Sequence, residues 1–203
     1  MTTTTTTTDT TTTTGAADLI VIEKQAVDRL NKSLAKSSLD DFLNAGRQSL
    51  LLVDCSSSMS AYIRTGGTRI QALRTVVDDL REQSPVPVAE FSGRGVRVVD
   101  SVPAPQGGTP LAQAIEFGQR EGANHLVVVT DGCPNSEYAA FEAARAFANP
   151  IDVFYIGDGN DRGARFAEEL AKMTGGTAHL NDLSDTKKLS AQVAGLLGDG
   201  SGF

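Results

Sequence analysis

Leu50-Leu51-Leu52-Val53-Asp54-Cys55-Ser56-Ser57-Ser58 is the stretch whose reading decides the fold. Four consecutive apolar residues followed by an acid and a serine run describe a strand buried on both faces that ends in a polar loop. The same grammar recurs at Leu126-Val127-Val128-Val129-Thr130-Asp131-Gly132. Between the two lies Gly107-Gly108-Thr109-Pro110, a flexible loop that delivers a hydroxyl and then opens a helix. Parallel strands of one sheet end on the same edge, so the three loops should meet at its carboxyl side, where open α/β sheets bind ligands. Two carboxylates (Asp54, Asp131) and three hydroxyls (Ser56, Ser58, Thr109) would then converge. An all-oxygen donor set of low charge suits Mg²⁺, with Mn²⁺ or Ca²⁺ as competitors.

Outward from these loops the chain alternates strand and helix. Strands are expected at Ser49–Asp54, Val86–Phe91, Val96–Val99, His125–Thr130, Ile151–Ile156 and Thr177–Leu180. Helices are expected at Thr68–Gln83, from Thr109 or its neighbour to Glu121, and at Ser136–Ala148, Arg162–Met173 and Ser184–Leu197. The last carries the apolar stripe Leu189, Val193, Leu196 and Leu197. Val86–Phe91 and Val96–Val99 flank Ser92-Gly93-Arg94-Gly95 and read as a hairpin. The fold class that results is α/β: a doubly wound, mostly parallel six-stranded sheet with one antiparallel edge strand.

Asp54-x-Ser56-x-Ser58, then a distant Thr109, then Asp131-Gly132, resembles the metal-ion-dependent adhesion site of the von Willebrand factor type A (vWA, or integrin I-like) domain. The resemblance covers roughly Arg47 to Leu197, and all five ligand positions match. It implies a Rossmann-like fold and a non-catalytic module that binds an Asp or Glu of a partner protein through the metal. It also implies that Asp131 often holds the cation through water. The family often has Gly where Ser57 stands; a positive φ there would strain the serine.

The 203 residues carry a net charge of −7 and no basic patch, which argues against nucleic acid and anionic membrane as partners. No apolar run is long enough to span a bilayer, and no signal-peptide pattern stands at the start. Two cysteines make no disulfide framework, so the expected setting is a reducing cytoplasm. Residues 1–15 read as a disordered Thr-rich leader, 16–46 as a helical extension, 47–197 as the vWA-like domain and 198–203 as a flexible tail. The resemblance points to the intracellular bacterial or phage type, with an AAA-type ATPase or a stress-response complex as the implied partner.

Other features have plainer readings. Cys55 and Cys133 flank metal-loop residues and could be redox-sensitive or bridge, but cysteine is also a common small filler. His125 begins the strand that Asp131 follows, and His179 lies on the far edge strand, so neither can pair with these cysteines. The stretch from Asp158 to Gly163 mimics part of an EF-hand loop, but Arg162 occupies a ligand place, and capping of a helix by Asn160 or Asp161 explains it better. Two other classes remain open: metal-dependent phosphoester or phosphoryl chemistry at the same cation, for which Arg64 and Arg69 are the nearby cationic candidates, and a structural or virion component.

Overall fold

A computed structural model describes residues 49–63, 66–83, 86–157, 161–181 and 185–198. The leader, the helical extension and the tail beyond residue 198 lie outside these residues, as does Arg64. Six strands form one sheet in the order β3-β2-β1-β4-β5-β6. They are β1 (Ser49–Asp54), β2 (Val88–Ser92), β3 (Gly95–Val98), β4 (His125–Thr130), β5 (Ile151–Ile156) and β6 (Ala178–Asn181). All neighbours pair in parallel except β2 and β3, so the sheet is mostly parallel with one antiparallel edge strand, as the sequence implies. Among the described residues five helices flank it: α1 (Arg69–Gln83), α2 (Leu111–Arg120), α3 (Glu137–Phe147), α4 (Arg162–Thr174) and α5 (Thr186–Gly198).

The central strands alternate between two cores, because successive side chains of a strand face opposite ways. Leu50, Leu52, Leu126, Val128 and Val153 pack under α2, α3 and α4. Leu51, Val53, Val127, Val129 and Phe154 pack under α1 and α5, where Leu73, Val76, Val77 and Leu80 meet Leu189, Val193 and Leu197. Of the expected stripe on the last helix, Leu196 is only partly buried. Both faces of the central strands are therefore dry, which explains their unbroken apolar runs.

A few boundaries move for identifiable reasons. β2 begins at Val88 rather than Val86, because Pro87 has no N–H to give a ladder. The turn between β2 and β3 shortens to Gly93-Arg94. Pro110, not Thr109, is the residue before α2, and no side chain caps that helix. Ser136 and Asp161 do cap α3 and α4, accepting from Ala139 N–H and Ala164 N–H. Ser57 lies in a 3-10 turn (Ser57–Ser60), and among the described residues the single non-glycine residue of positive φ is Ala148, so Ser57 carries no such strain.

The amino-terminal edge is tied by a row of polar contacts. Ser49 Oγ lies 3.0 Å from His125 Nδ1, His125 Nε2 lies 2.7 Å from Asp152 Oδ2, and Asp152 Oδ1 accepts from Thr177 N–H at 2.6 Å. Burial pushes the Asp152 carboxyl up, but the bonds from His125 and Thr177 outweigh it and hold the group below the usual carboxylate range. Among the described residues no helix is long and apolar enough to cross a membrane.

Candidate metal centre

The strand order places the candidate site. From β1 the chain moves outward to β2 and β3, whereas β4 lies on the other side of β1 and leads to β5 and β6. The crevice at such a reversal opens above the carboxyl ends of β1 and β4. Val53 pairs with Val129, so one step further along the two strands sets Asp54 beside Thr130. Thr130 Oγ1 donates to Asp54 Oδ2 at 2.6 Å, and Ser56 N–H donates to Asp54 Oδ1 at 2.7 Å. The Asp54 carboxylate is fully buried. Burial pushes its pKa up to about 6, the bonds from Thr130 and Ser56 pull it back, and the nearby Asp131 charge adds to the rise.

Beyond Asp54 the 3-10 turn folds the serine run back over the strand end, with Met59 buried beneath as its anchor. That turn aims Ser56 and Ser58 at Asp131. Ser58 Oγ donates to Asp131 Oδ1 at 2.7 Å and lies 2.9 Å from Ser56 Oγ. Ser58 has one hydroxyl proton and gives it to Asp131, so Ser56 is the donor between the two serines. The other Asp131 oxygen accepts from Arg69 Nη1 at 2.7 Å. Arg69 opens α1, and its own N–H is held by Ala61 O just past the 3-10 turn.

The Gly107 loop is docked against this turn. Gln106 N–H donates to Cys55 O at 2.8 Å and Ser57 N–H donates to Gly107 O at 3.0 Å. Gly107 has φ +66, and a Cβ there would stand 2.5 Å from Gly93 Cα, so only glycine permits this approach. Thr109 is buried, and its N–H donates to Asn135 Oδ1 at 2.8 Å. Asn135 N–H returns a bond to Thr109 O at 2.9 Å. The Thr109 and Asp131 loops are thus tied to each other through Asn135.

The structure therefore joins four of the five expected ligands: Asp54 accepts from Ser56 N–H, and the hydroxyls of Ser56 and Ser58 lead on to Asp131. Thr109 is held by its backbone at the same edge, and among the described residues its hydroxyl makes no hydrogen bond to that network. The separations between the serine and Asp131 oxygens are ordinary O–H···O hydrogen-bond lengths, and they also stand close to the spacing of oxygens around a small cation. An octahedral Mg²⁺ with ligands at ~2.0–2.1 Å has neighbouring ligand oxygens about 2.9 Å apart. Ser56 Oγ to Ser58 Oγ is 2.9 Å and Ser58 Oγ to Asp131 Oδ1 is 2.7 Å. Among the described residues no cluster of three or more His, Cys, Asp or Glu side chains forms, so a cation here would lean on hydroxyls.

Sequence reasoning did not assign Thr130, Asn135 or the Arg69–Asp131 pair to the site. Thr130 needed the β1–β4 pairing, and Asn135 and Arg69 reach the site from a loop and a helix start whose packing leaves no periodic trace. Both cysteines are free, and Cys55 is buried. Burial, then the Glu90 and Asp54 charges, push the Cys55 thiol up to about 12, so it is no thiolate at neutral pH.

No family model and no curated protein matches this chain. Solved structures do. A von Willebrand factor type A protein from Catenulispora acidiphila superposes with a TM-score of 0.58 at 19% identity, over 76% of this chain. The fold is von Willebrand factor type A-like. A D319A mutant of the PilB minor pilin from Streptococcus sanguinis superposes with a TM-score of 0.52 at 14% identity, again over 76% of this chain. The matched region spans 42% of the first protein's length and 63% of the second's. At these identities the likeness concerns the vWA-like fold, and the site must be argued from its own atoms.

Proposed function

We propose that this vWA-like domain is a non-catalytic, Mg²⁺-dependent protein-binding module. The observation that carries the reading is the convergence of Asp54, Ser56, Ser58 and Asp131, two carboxylates and two hydroxyls, at the topological reversal of the sheet. Ser56, Ser58 and Asp131 would hold Mg²⁺, or Mn²⁺ or Ca²⁺ in its place, with Thr109 and Asp54 completing the set. The bound cation would supply an electrophilic coordination position for an Asp or Glu of a partner protein. Asp54 is shielded and already accepts two hydrogen bonds, so its part is to fix the serine turn and lend charge. A cytoplasmic partner such as an AAA-type ATPase or stress-response complex, in a bacterial or phage setting, belongs to the same proposal and rests on family resemblance.

Calorimetry with Mg²⁺ and Mn²⁺ tests the reading, together with affinity capture in the presence and absence of EDTA. One cation per chain, lost in Asp54→Ala, and a capture that EDTA abolishes are expected. Cation binding that survives Asp54→Ala sinks the site.

A second reading, metal-dependent phosphoester chemistry, draws on one observation: a guanidinium does stand in the site, on Arg69. It is tied to Asp131, and no His or Lys stands beside it in the loops. A phosphatase assay with Mg²⁺ and Mn²⁺ separates the two, since the binding module should show no turnover.

A further inference from the structure

Arg69 is placed where a cation gains little from its own helix. It is the first residue of α1, and positive charge at a helix N-terminus opposes the macrodipole. What compensates is Asp131. The guanidinium Nη1 and Asp131 Oδ2 are 2.7 Å apart, the carboxylate side chain is wholly shielded and the arginine side chain is 26% exposed. A shielded carboxylate without a counter-charge is strongly unfavourable, so the pair cannot simply be removed. Among the described residues Arg69 makes no other side-chain hydrogen bond, so one ion pair alone keeps the guanidinium in the site. A second acid lies within its electrostatic reach. Asp161, the cap of α4, has its carboxyl pushed up by burial but held low overall by bonds from Tyr155, Ala164 and Gly163, with the Arg69 charge contributing.

We propose that Arg69 is the resident counter-ion of the metal-free site, competing with the divalent cation for Asp131 and so setting how tightly the site takes metal. This deepens the metal-site reading above and rests on it. With no cation bound, the guanidinium neutralises Asp131 and keeps the serine turn closed through Ser58. When a cation arrives, Asp131 exchanges one positive partner for another. The arginine is released toward solvent and Asp161, close to where a ligand acid would dock. Two positive charges sharing one carboxylate repel each other over a few ångströms, which is the physical source of the competition.

The test is Mn²⁺ calorimetry on the full chain as wild type, Arg69→Gln and Arg69→Lys, with melting of each in EDTA. Arg69→Gln should bind Mn²⁺ ten-fold or more tightly than wild type, yet melt lower without metal. Those opposite signs exclude a plain structural role, which would weaken both. Arg69→Lys should fall between. A second measurement needs no altered fold. The Arg69 side-chain NMR signal of the wild type, assigned by its absence in Arg69→Lys, should shift in step with Mg²⁺ occupancy. Equal or weaker Mn²⁺ binding by Arg69→Gln, or an unmoved Arg69 signal at saturating Mg²⁺, overturns the inference and leaves the metal site standing. Failure of all three chains to bind Mn²⁺ overturns the metal reading and the inference with it.

Discussion

Replacing Asp54 by Asn should stabilise the metal-free protein while abolishing its response to metal. In the wild type the Asp54 carboxyl is fully buried and its pKa is raised from 3.8 to about 6. A rise of about two units corresponds to about 3 kcal/mol of unfavourable ionisation in the folded state at neutral pH. Asn removes that charge and keeps the shape. Its oxygen can still accept from Ser56 N–H, and Thr130 Oγ1 can turn to accept from the amide. Loss of the charge-assisted character of both bonds costs about 1–2 kcal/mol, so the net gain is about 1–2 kcal/mol. For a chain of this size that is a rise of roughly 2–8 °C in melting temperature in EDTA. The pH dependence carries the sign. A carboxyl raised on folding favours the protonated native state, so metal-free wild type gains stability as pH falls through about 6 toward 3.8. The advantage of Asp54→Asn should therefore be present at pH 7.5 and shrink by pH 4.5. Scanning calorimetry at both pH values, with and without Mg²⁺, measures this. A variant that melts below wild type in EDTA at pH 7.5, or a gap that does not move with pH, refutes the reasoning.

Three further outcomes are expected. Asp152→Asn should cost about 1 kcal/mol at pH 7 through the weakened His125 contact. Because the Asp152 carboxyl is held low on folding, that cost is present above the ordinary carboxylate range. It should fade as pH drops through that range in urea unfolding, and a pH-independent cost would contradict the assignment. Glu90 is buried, with Arg97 Nε 2.8 Å from one oxygen and no partner on the other among the described residues. Arg97→Met should therefore destabilise by about 1–3 kcal/mol, whereas Glu90→Gln should be close to neutral; equal losses in the two would show that the pair is not acting as an ion pair. Cys55 should resist a maleimide probe in the native protein at pH 7.5 and react fully on unfolding without prior reduction, read by mass spectrometry, because its thiol is buried and raised to about 12; rapid native labelling would mean that the loop beneath the site opens.

The parts of the fold that could be read from sequence are those in which one physical constraint dominates. Leu50–Val53 and Leu126–Val129 read as double-faced strands because short runs without alternation, closed by polar loop residues, suit strands better than helices, and the two-sided core agrees. Asp54 and Asp131 were legible as the first charged residues after those runs. Adjacency was not legible from periodicity. That β1 lies between β2 and β4 emerges only in the structure, and only this order sets Thr130 against Asp54. Contacts between loops were hidden for a different reason. Arg69 and Asp131 are 62 residues apart, and Thr109 and Asn135 are 26 apart. Each pair meets because separate strands end at one edge, a fact that no window of sequence contains. Thr109 shows the limit from the other side: its position at that edge was readable, but the tie of its backbone to Asn135 was not.

The two ends of the strands are built differently, and the difference bears on the proposed site. At the amino-terminal edge Ser49, His125 and Asp152 stand in a row with separations of 3.0 and 2.7 Å, the residue types of a nucleophile, a base and an orienting acid. Yet the row is closed. Asp152 gives its second oxygen to Thr177 N–H ahead of β6, so the four polar groups link the starts of β1, β4, β5 and β6 and fix their register. At the carboxyl-terminal edge the groups converge on a crevice instead of running across strands. There a carboxylate is buried against its own ionisation, another is neutralised by a single guanidinium, and two serine hydroxyls join them in one hydrogen-bonded chain. On the metal reading proposed above, a small cation would relieve the buried Asp54 charge, whereas the amino-terminal row is satisfied by its own hydrogen bonds and acts as a fastening.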